Sequence, residues 1–308
     1  MIEQSTVPPA PAARRAGSPD HRPNPMPTLF ISHGAPTLAT DEGPTRHFLS
    51  SLGERLGRPR AVLMVSAHWE AEEVCVMATA APPTIHDFFG FPAPLYELRY
   101  PAPGSAPLAQ TVAELLGASG YPVTVDATRG YDHGAWVPLS LVYPQADVPV
   151  LQLSINPSRP PAWHWRLGRA LAALRAEGVL IVGSGSMTHN LQDFRRLRHA
   201  VDSPPEPYAE AFTEWFAARI DARDLEALLA YREFAPSAVR AHPTDEHLLP
   251  LYVALGAAGV AWTAERLHHG FMHGAIAMDC YLFQSALVPD HGTVDDFNDA
   301  TSGENHAI

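Results

Sequence analysis

Four histidines stand where a hydrophobic run gives out or a helical pattern begins: His33 in FISHG, His68 in VSAHW, His189 in GSGSMTHN and His247 in PTDEHLLP. A neutral imidazole offers a ring nitrogen to a metal, and three such nitrogens from separate segments suffice to chelate a zinc or transition-metal ion. Gly34 follows His33 and Ala67 precedes His68, so small neighbours leave room for an ion or a substrate. His247 is expected in the first turn of a helix announced by Pro243 and Thr244, where the helix dipole keeps the ring neutral. A single histidine at a strand end is more often structural, and it is the joint pattern that points to a site. His133 lies in Gly130-Tyr131-Asp132-His133-Gly134, which also fits a structural turn, with Asp132 either orienting a ring or solvated. His86 is a weaker candidate, placed on a covering loop. His47, His164, His199, His268, His269, His291 and His306 fit surface or capping roles, and His242 and His273 fit either reading.

Several chemistries drop out. All 21 basic residues are arginine, which excludes Schiff-base, pyridoxal phosphate and P-loop lysine chemistry. The turn expected at Gly183-Ser184-Gly185-Ser186 lacks the third glycine of a dinucleotide fingerprint and does not fit the G-x-S-x-G elbow of a hydrolase. A net charge of -12 without a basic stripe argues against nucleic acid as a partner. The two cysteines, Cys75 and Cys280, sit in apolar runs and are expected to be free thiols in a reducing compartment, the cytoplasm.

Strands are expected at Thr28–Ser32, Ala61–Ser66, Val74–Ala78, Val148–Ile155 and Val179–Val182, with a closing strand within Ala275–Phe283. Helices are expected at Ala106–Ala118, Pro161–Ala176, Pro205–Ile220, Leu225–Tyr231 and Asp245–Ala257. Continuous apolar runs alternating with helical patterns predict an α/β fold, a single-domain α/β/α sandwich around a mixed, largely parallel sheet. In such sheets ligands bind beyond the carboxyl ends of the strands, which is where three of the four histidines fall. The proline-rich excursion from Ala80 to Pro107 is long enough to cover an active site. Residues 1–25 read as a disordered leader, 26–287 as the catalytic domain and 288–308 as a disordered acidic tail. No apolar stretch reaches the roughly 18 residues of a membrane span.

The segments PTLFISHGAPT, VLMVSAHWE, PPTIHDFFGFPAPLYELRYPAPGS, GYDHGAWVPL, VLQLSI, GSGSMTHNL and HPTDEHLLPL resemble those of the class III extradiol ring-cleavage dioxygenases of the DOPA 4,5-dioxygenase type. They run in the family's order from about Met26 to Phe283, and the string TIHDFFGFPAPLYELRYPAPG is highly specific. The resemblance implies that His33, His68 and His247 ligate the metal, with Glu246 as a carboxylate alternative. It makes His189 the active-site base or a fourth ligand in zinc-bound forms, and turns His133 toward substrate and dioxygen. It implies Fe(II) for activity, with Zn(II) a possible occupant of purified protein, and a small catechol and O2 as partners; oligomeric state stays open. The run HHGFMHG (268–274) carries more histidines than the family pattern and could add adventitious metal sites.

Ring opening of a catechol by dioxygen is spin-forbidden without a redox metal, and nitrogen ligands on one face of Fe(II) leave positions for diol and dioxygen. A catechol must also lose a proton on chelation, which suits a nearby histidine base. On this reading Phe88, Phe91 and Tyr96 wall the ring and Arg99 meets a substrate carboxylate. The rivals are a zinc hydrolase on the same three-histidine site and a metal-binding protein without a substrate.

Overall fold

The computed structural model describes residues 24–197 and 199–285. The expected strands form as β1 (Thr28–Ser32), β2 (Ala61–Glu70), β3 (Val74–Met77), β5 (Val150–Ile155) and β6 (Val179–Gly185). The closing strand expected within Ala275–Phe283 forms as β10 (Cys280–Ser285), two further strands join the sheet, β4 (Val123–Asp126) and β7 (Trp262–His268), and β8 (Phe271–Met272) and β9 (Ile276–Ala277) make a separate two-stranded ribbon. The eight-stranded sheet has the order β4-β3-β5-β2-β6-β1-β10-β7. Its centre, β5-β2-β6-β1, is parallel, and β10 and β7 close one edge antiparallel.

The period-two alternation of side chains divides the strands between two cores. Phe30, Leu63, Val65 and Ile181 pack with α2 (Ala106–Ala118), α4 (Pro161–Leu171), α6 (Pro207–Ala222) and α10 (Leu249–Ala258). Leu29, Ile31, Val62, Met64 and Val182 face the other way, against α1 (Pro44–Leu56), α3 (His133–Val142) and the loop that carries Phe88 and Tyr100. Short helices complete the chain: α5 (Leu191–Leu197), α7 (Leu225–Leu229), α8 (Tyr231–Phe234) and α9 (Ala238–Ala241). The α/β/α sandwich is therefore as the sequence predicts.

The differences from expectation have physical causes. α3 is buried on almost every side and contains Pro138, so it shows no amphipathic period. β4 is a half-exposed edge strand of four residues, too short to alternate visibly. β2 and β6 each outrun their apolar stretch: Gly183-Ser184-Gly185 is strand, not turn, and His68 lies on β2 rather than after it. A Cβ on Gly183 would stand 2.1 Å from Pro250 O, so glycine there lets α10 lie directly on β6. α10 starts at Leu249, which leaves His247 in the turn before the helix and not in its first turn. Among the described residues no helix is long and apolar enough to cross a membrane. The leader up to residue 23 and the tail from 288, with His291 and His306, lie outside the described residues.

Two histidines outside the site are fully buried: His164, which accepts a hydrogen bond from Asn156 N, and His242, whose Nε2 lies 2.8 Å from Met187 O. His164 is thus a core residue, not a surface or capping one. Burial foremost depresses each to about 4. Because the folded pKa lies below the unfolded one, near 6.5, the stability each contributes is complete above about pH 6.5 and is lost as pH falls toward 4. Each should cost about 1.4 kcal/mol at pH 5.5 relative to neutral pH. Urea unfolding should show a lower midpoint at pH 5.5 than at pH 7.5; equal midpoints would contradict the assignment of neutral, buried rings.

Candidate metal centre

The parallel strands β2, β6 and β1 lie side by side, so their carboxyl ends bring His68, the segment leading to His189, and His33 to one edge of the sheet. His247 arrives from across the sheet. Ser186 N donates to His247 O at 2.9 Å and His189 N donates to Ala241 O at 2.9 Å, which clamps the 241–247 segment onto the end of β6. A Cβ on Gly185 would stand 1.9 Å from His247 O, so this approach requires glycine. The ring centroids of His33, His68 and His247 are then 4.9–5.4 Å apart, and His189 stacks on His247 at 3.4 Å.

Hydrogen bonding settles which nitrogens are free. The Ser184 hydroxyl gives its only proton to Gly134 O, so toward His33 it is an acceptor, and His33 Nδ1 donates to it at 3.0 Å. His247 Nδ1 donates to Glu246 Oε1 at 3.0 Å. Both rings therefore carry a lone pair on Nε2. His33 Nε2 lies 3.0 Å from His68 Nε2, while His247 Nε2 is buried without a partner among the described residues. Two nitrogens bound at 2.0–2.1 Å to one metal ion stand about 2.9–3.4 Å apart, so this spacing fits a shared ion. A buried, unpaired imidazole nitrogen is costly unless a ligand takes it.

Donor atoms within 4.8 Å of one another form two adjacent trios: His33, His68 and His133, and His189, Glu246 and His247. Distance alone would thus group His133, rather than His247, with His33 and His68. The orphaned Nε2 of His247 favours His247 as the third ligand. Glu246 sits behind the His247 ring on its Nδ1 side, where it orients that ring.

Burial is the first reason these rings are neutral. His33 and His247 are held well below the usual histidine range and His68 falls to about 3, with repulsion from neighbouring imidazoles adding to the effect. His189 falls to about 4 because burial outweighs the attraction of Glu246. A metal needs neutral imidazole, so the environment is suited to binding one.

His133 does not sit in a turn; it opens α3, with Asp132 as the N-cap accepting from Ala135 N. Asp132 is fully buried and accepts from Ser66 Oγ, Gln152 Nε2 and Arg129, so it holds the scaffold and orients no ring. The carboxylate at His133 is Asp87. Its Oδ2 lies 2.9 Å from His133 Nδ1, and its Oδ1 accepts from His133 N at 2.8 Å. Burial opposes ionisation of Asp87, yet the bonds from His133 and the nearby imidazoles pull its pKa down to about 2. Nothing in the sequence singles out Asp87 over its neighbour His86, and His86 packs among Phe88, Tyr96 and Trp136.

The histidines form the floor of a cavity of about 640 Å³. Phe88 and Phe91 line it as expected, joined by Phe89, which is 90% exposed at the mouth. Tyr96 and Arg99 do not reach it: Tyr96 packs against Phe88, and Arg99 donates to the carbonyls of Tyr96 and Leu98. The arginine on the wall is Arg195 of α5, facing a cavity that also includes Asp41 and His273. Beside the histidine-rich run 268–274, the Arg266 guanidinium donates to the buried Asp279 carboxylate at 2.5 Å and His269 Nδ1 lies 3.2 Å from the same oxygen, so Asp279 already has a protein cation as its partner.

The model of the catalytic LigB subunit of aromatic ring-opening dioxygenase matches residues 27–283. The chain is 44% identical over 262 residues to the 4,5-DOPA dioxygenase extradiol of Beta vulgaris, covering 84% of this chain and 96% of that protein. It is 44% identical over 236 residues to the protein of the same name from Escherichia coli strain K12, covering 75% of this chain and 85% of that one. A crystal structure of an uncharacterized Escherichia coli K12 protein superposes with a TM-score of 0.68 at 36% identity, over 83% of this chain and 99% of the other. With the motif order, the sheet-end histidines and the matched span in agreement, this chain belongs to the LigB family of aromatic ring-opening dioxygenases.

Proposed function

We propose that the chain is an Fe(II)-dependent extradiol dioxygenase that opens the ring of a catechol of the DOPA type, with His33, His68 and His247 as metal ligands. The observation that carries this reading is the buried Nε2 of His247, which has no partner among the described residues, beside the His33–His68 nitrogen pair in an aromatic-walled cavity. When bound, the iron supplies the open-shell centre that lets catechol and dioxygen react and leaves positions free for both. Zn(II) fits the same nitrogens but passes no electrons, so zinc-loaded protein is expected to be inactive in ring cleavage.

The protein's own groups do the rest. Phe88 and Phe91 offer faces for the ring, and the apolar wall excludes water from the diol. His189, stacked on His247, takes the diol proton; His133 stabilises charge that develops on oxygen. Both oxygen atoms enter the product and the carbon–carbon bond beside the diol breaks, giving a muconate-semialdehyde type product. The finding that 4,5-DOPA dioxygenases are relatives supports DOPA as substrate. A cytoplasmic setting suits both Fe(II) and the free thiols of Cys75 and Cys280.

Oxygen uptake tests the reading. Anaerobically Fe(II)-loaded protein should consume one O2 per L-DOPA or simple catechol and form a yellow product, whereas monophenols should not react because one oxygen cannot chelate. Hydrolysis of esters or amides, with no uptake on any diol, would replace this reading with the zinc hydrolase.

A further inference from the structure

Setting the histidines aside, the charged residues that line the cavity, among those described, are Asp41 and Arg195, one of each sign. Both are exposed, as are Phe89, Leu191 and Val201 of the same lining, whereas His33 and His247 are buried. The cavity thus runs from a floor of imidazoles to a rim that carries one carboxylate and one guanidinium. Their chain neighbours are committed elsewhere, Glu42 to Arg46 and His47 and Arg196 to Asp193, whereas Asp41 and Arg195 form no ion pair among the described residues.

Local structure holds both residues in place. On a helix, residues three and four apart share a face, so in α5 Leu191, Phe194 and Arg195 turn to the cavity together while Gln192 and Arg196 do not line it. The helix is anchored through Asp193, which is buried and accepts from Arg240 Nε at 2.8 Å and from Arg196 Nη2 at 2.9 Å. Asn190 Oδ1 accepts from Asp193 N at 2.9 Å at the start of the same helix. Phe194 meets the His273 ring edge-on at 4.9 Å, and His273 N donates to Val201 O at 2.9 Å, so the β8–β9 ribbon braces the wall that carries Arg195. Asp41 stands on the segment that leaves His33. Its N–H donates to Thr37 O at 2.7 Å, closing the turn Pro36–Ala39, and the Arg46 guanidinium donates to the carbonyls of Leu38 and Ala39.

From this arrangement we infer that Arg195 and Asp41 determine specificity by recognising the α-amino-acid end of the substrate, Arg195 its carboxylate and Asp41 its ammonium. The inference rests on the dioxygenase reading and narrows its substrate to a catechol that bears both charges. A catechol held through its diol at the floor turns the far side of its ring toward the rim, and the side chain of an amino-acid catechol starts from that far side. A guanidinium presents parallel N–H groups that match a carboxylate, and a carboxylate accepts the protons of an ammonium. Leu191 and Phe194 share the face of Arg195 and limit the access of water, which makes a pair formed there stronger than one on an open surface.

Four catechols separate the two contacts: L-DOPA carries both charges, dopamine the ammonium alone, dihydroxyphenylpropionate the carboxylate alone, and methylcatechol neither. Their kcat/KM values from oxygen uptake by Fe(II)-loaded protein are compared as ratios to that of methylcatechol. In Arg195→Gln the ratio should fall about 5–20-fold for L-DOPA and dihydroxyphenylpropionate, through KM, and less than about twofold for dopamine. In Asp41→Asn it should fall by a similar factor for L-DOPA and dopamine and less than about twofold for dihydroxyphenylpropionate. Arg195→Lys, which keeps the charge, should lose less than about threefold on L-DOPA. Unchanged ratios would overturn the inference, as would equal losses on all four catechols, the mark of a distorted cavity. An effect in one variant without the other would also overturn it, because the rim would then read a catechol acid or a catechol amine and not an amino acid. If wild-type protein takes up no oxygen with any of the four, the dioxygenase reading fails. Calorimetric affinities of the same four for zinc-loaded wild-type and variant protein then decide the inference by the same pattern, and absence of L-DOPA binding would overturn it.

Discussion

Replacing His33, His68 or His247 with alanine is expected to remove bound metal and ring-cleaving activity together. Each ring has one nitrogen occupied by a protein partner or facing a carboxylate, Ser184 for His33, Asp87 for His68 and Glu246 for His247, and the other turned toward the shared position. Loss of one of three nitrogen donors leaves two, too few to hold a divalent ion against water and other chelators. Metal analysis after dialysis should find the variants depleted, and oxygen uptake with a catechol should fall to background. Full metal occupancy in His68→Ala would overturn the ligand assignment. His133→Ala serves as the control, because it belongs to the neighbouring trio: if it loses metal and His247→Ala does not, the third ligand is His133.

His189→Ala should behave differently. The ring stacks on His247 and keeps 3.7 Å from Glu246, so its removal opens space beside a ligand without removing one. Metal content should stay close to wild type while turnover drops by roughly 10²–10⁴-fold, the range for loss of a general base. Steady-state oxygen uptake and metal analysis on one preparation decide this. Joint collapse of metal and activity would make His189 a fourth ligand.

Much of this protein was legible in the chain. Short apolar runs interrupted by helical patterns point to a sheet covered on both faces, because a strand buried on both sides is apolar on consecutive residues. The residues that end those runs must then emerge at one edge of the sheet, which is why the sequence alone points to His33, His68 and His189. The absence of lysine removed whole reaction classes in the same way, since a missing functional group cannot be supplied by folding.

What only the tertiary structure decided concerns partners brought in from other segments. Asp87 has no local signal distinguishing it from a solvated loop carboxylate; it becomes His133's partner through the backbone zipper of residues 83–85 on Tyr131. Arg99 sits in the covering loop and was expected at the substrate, yet its guanidinium is consumed by the carbonyls of Tyr96 and Leu98, and Arg195 from a helix far along the chain takes the wall. His247 shows the division most plainly. Its sequence neighbours predict a helix start, but its neutral, unpaired Nε2 depends on burial and on a glycine, Gly185, that lets its backbone touch the end of β6. Sequence periodicity reports which face of an element is apolar; it carries no record of which distant hydrogen-bond acceptor that element will meet, and proton positions at this site depend on those acceptors.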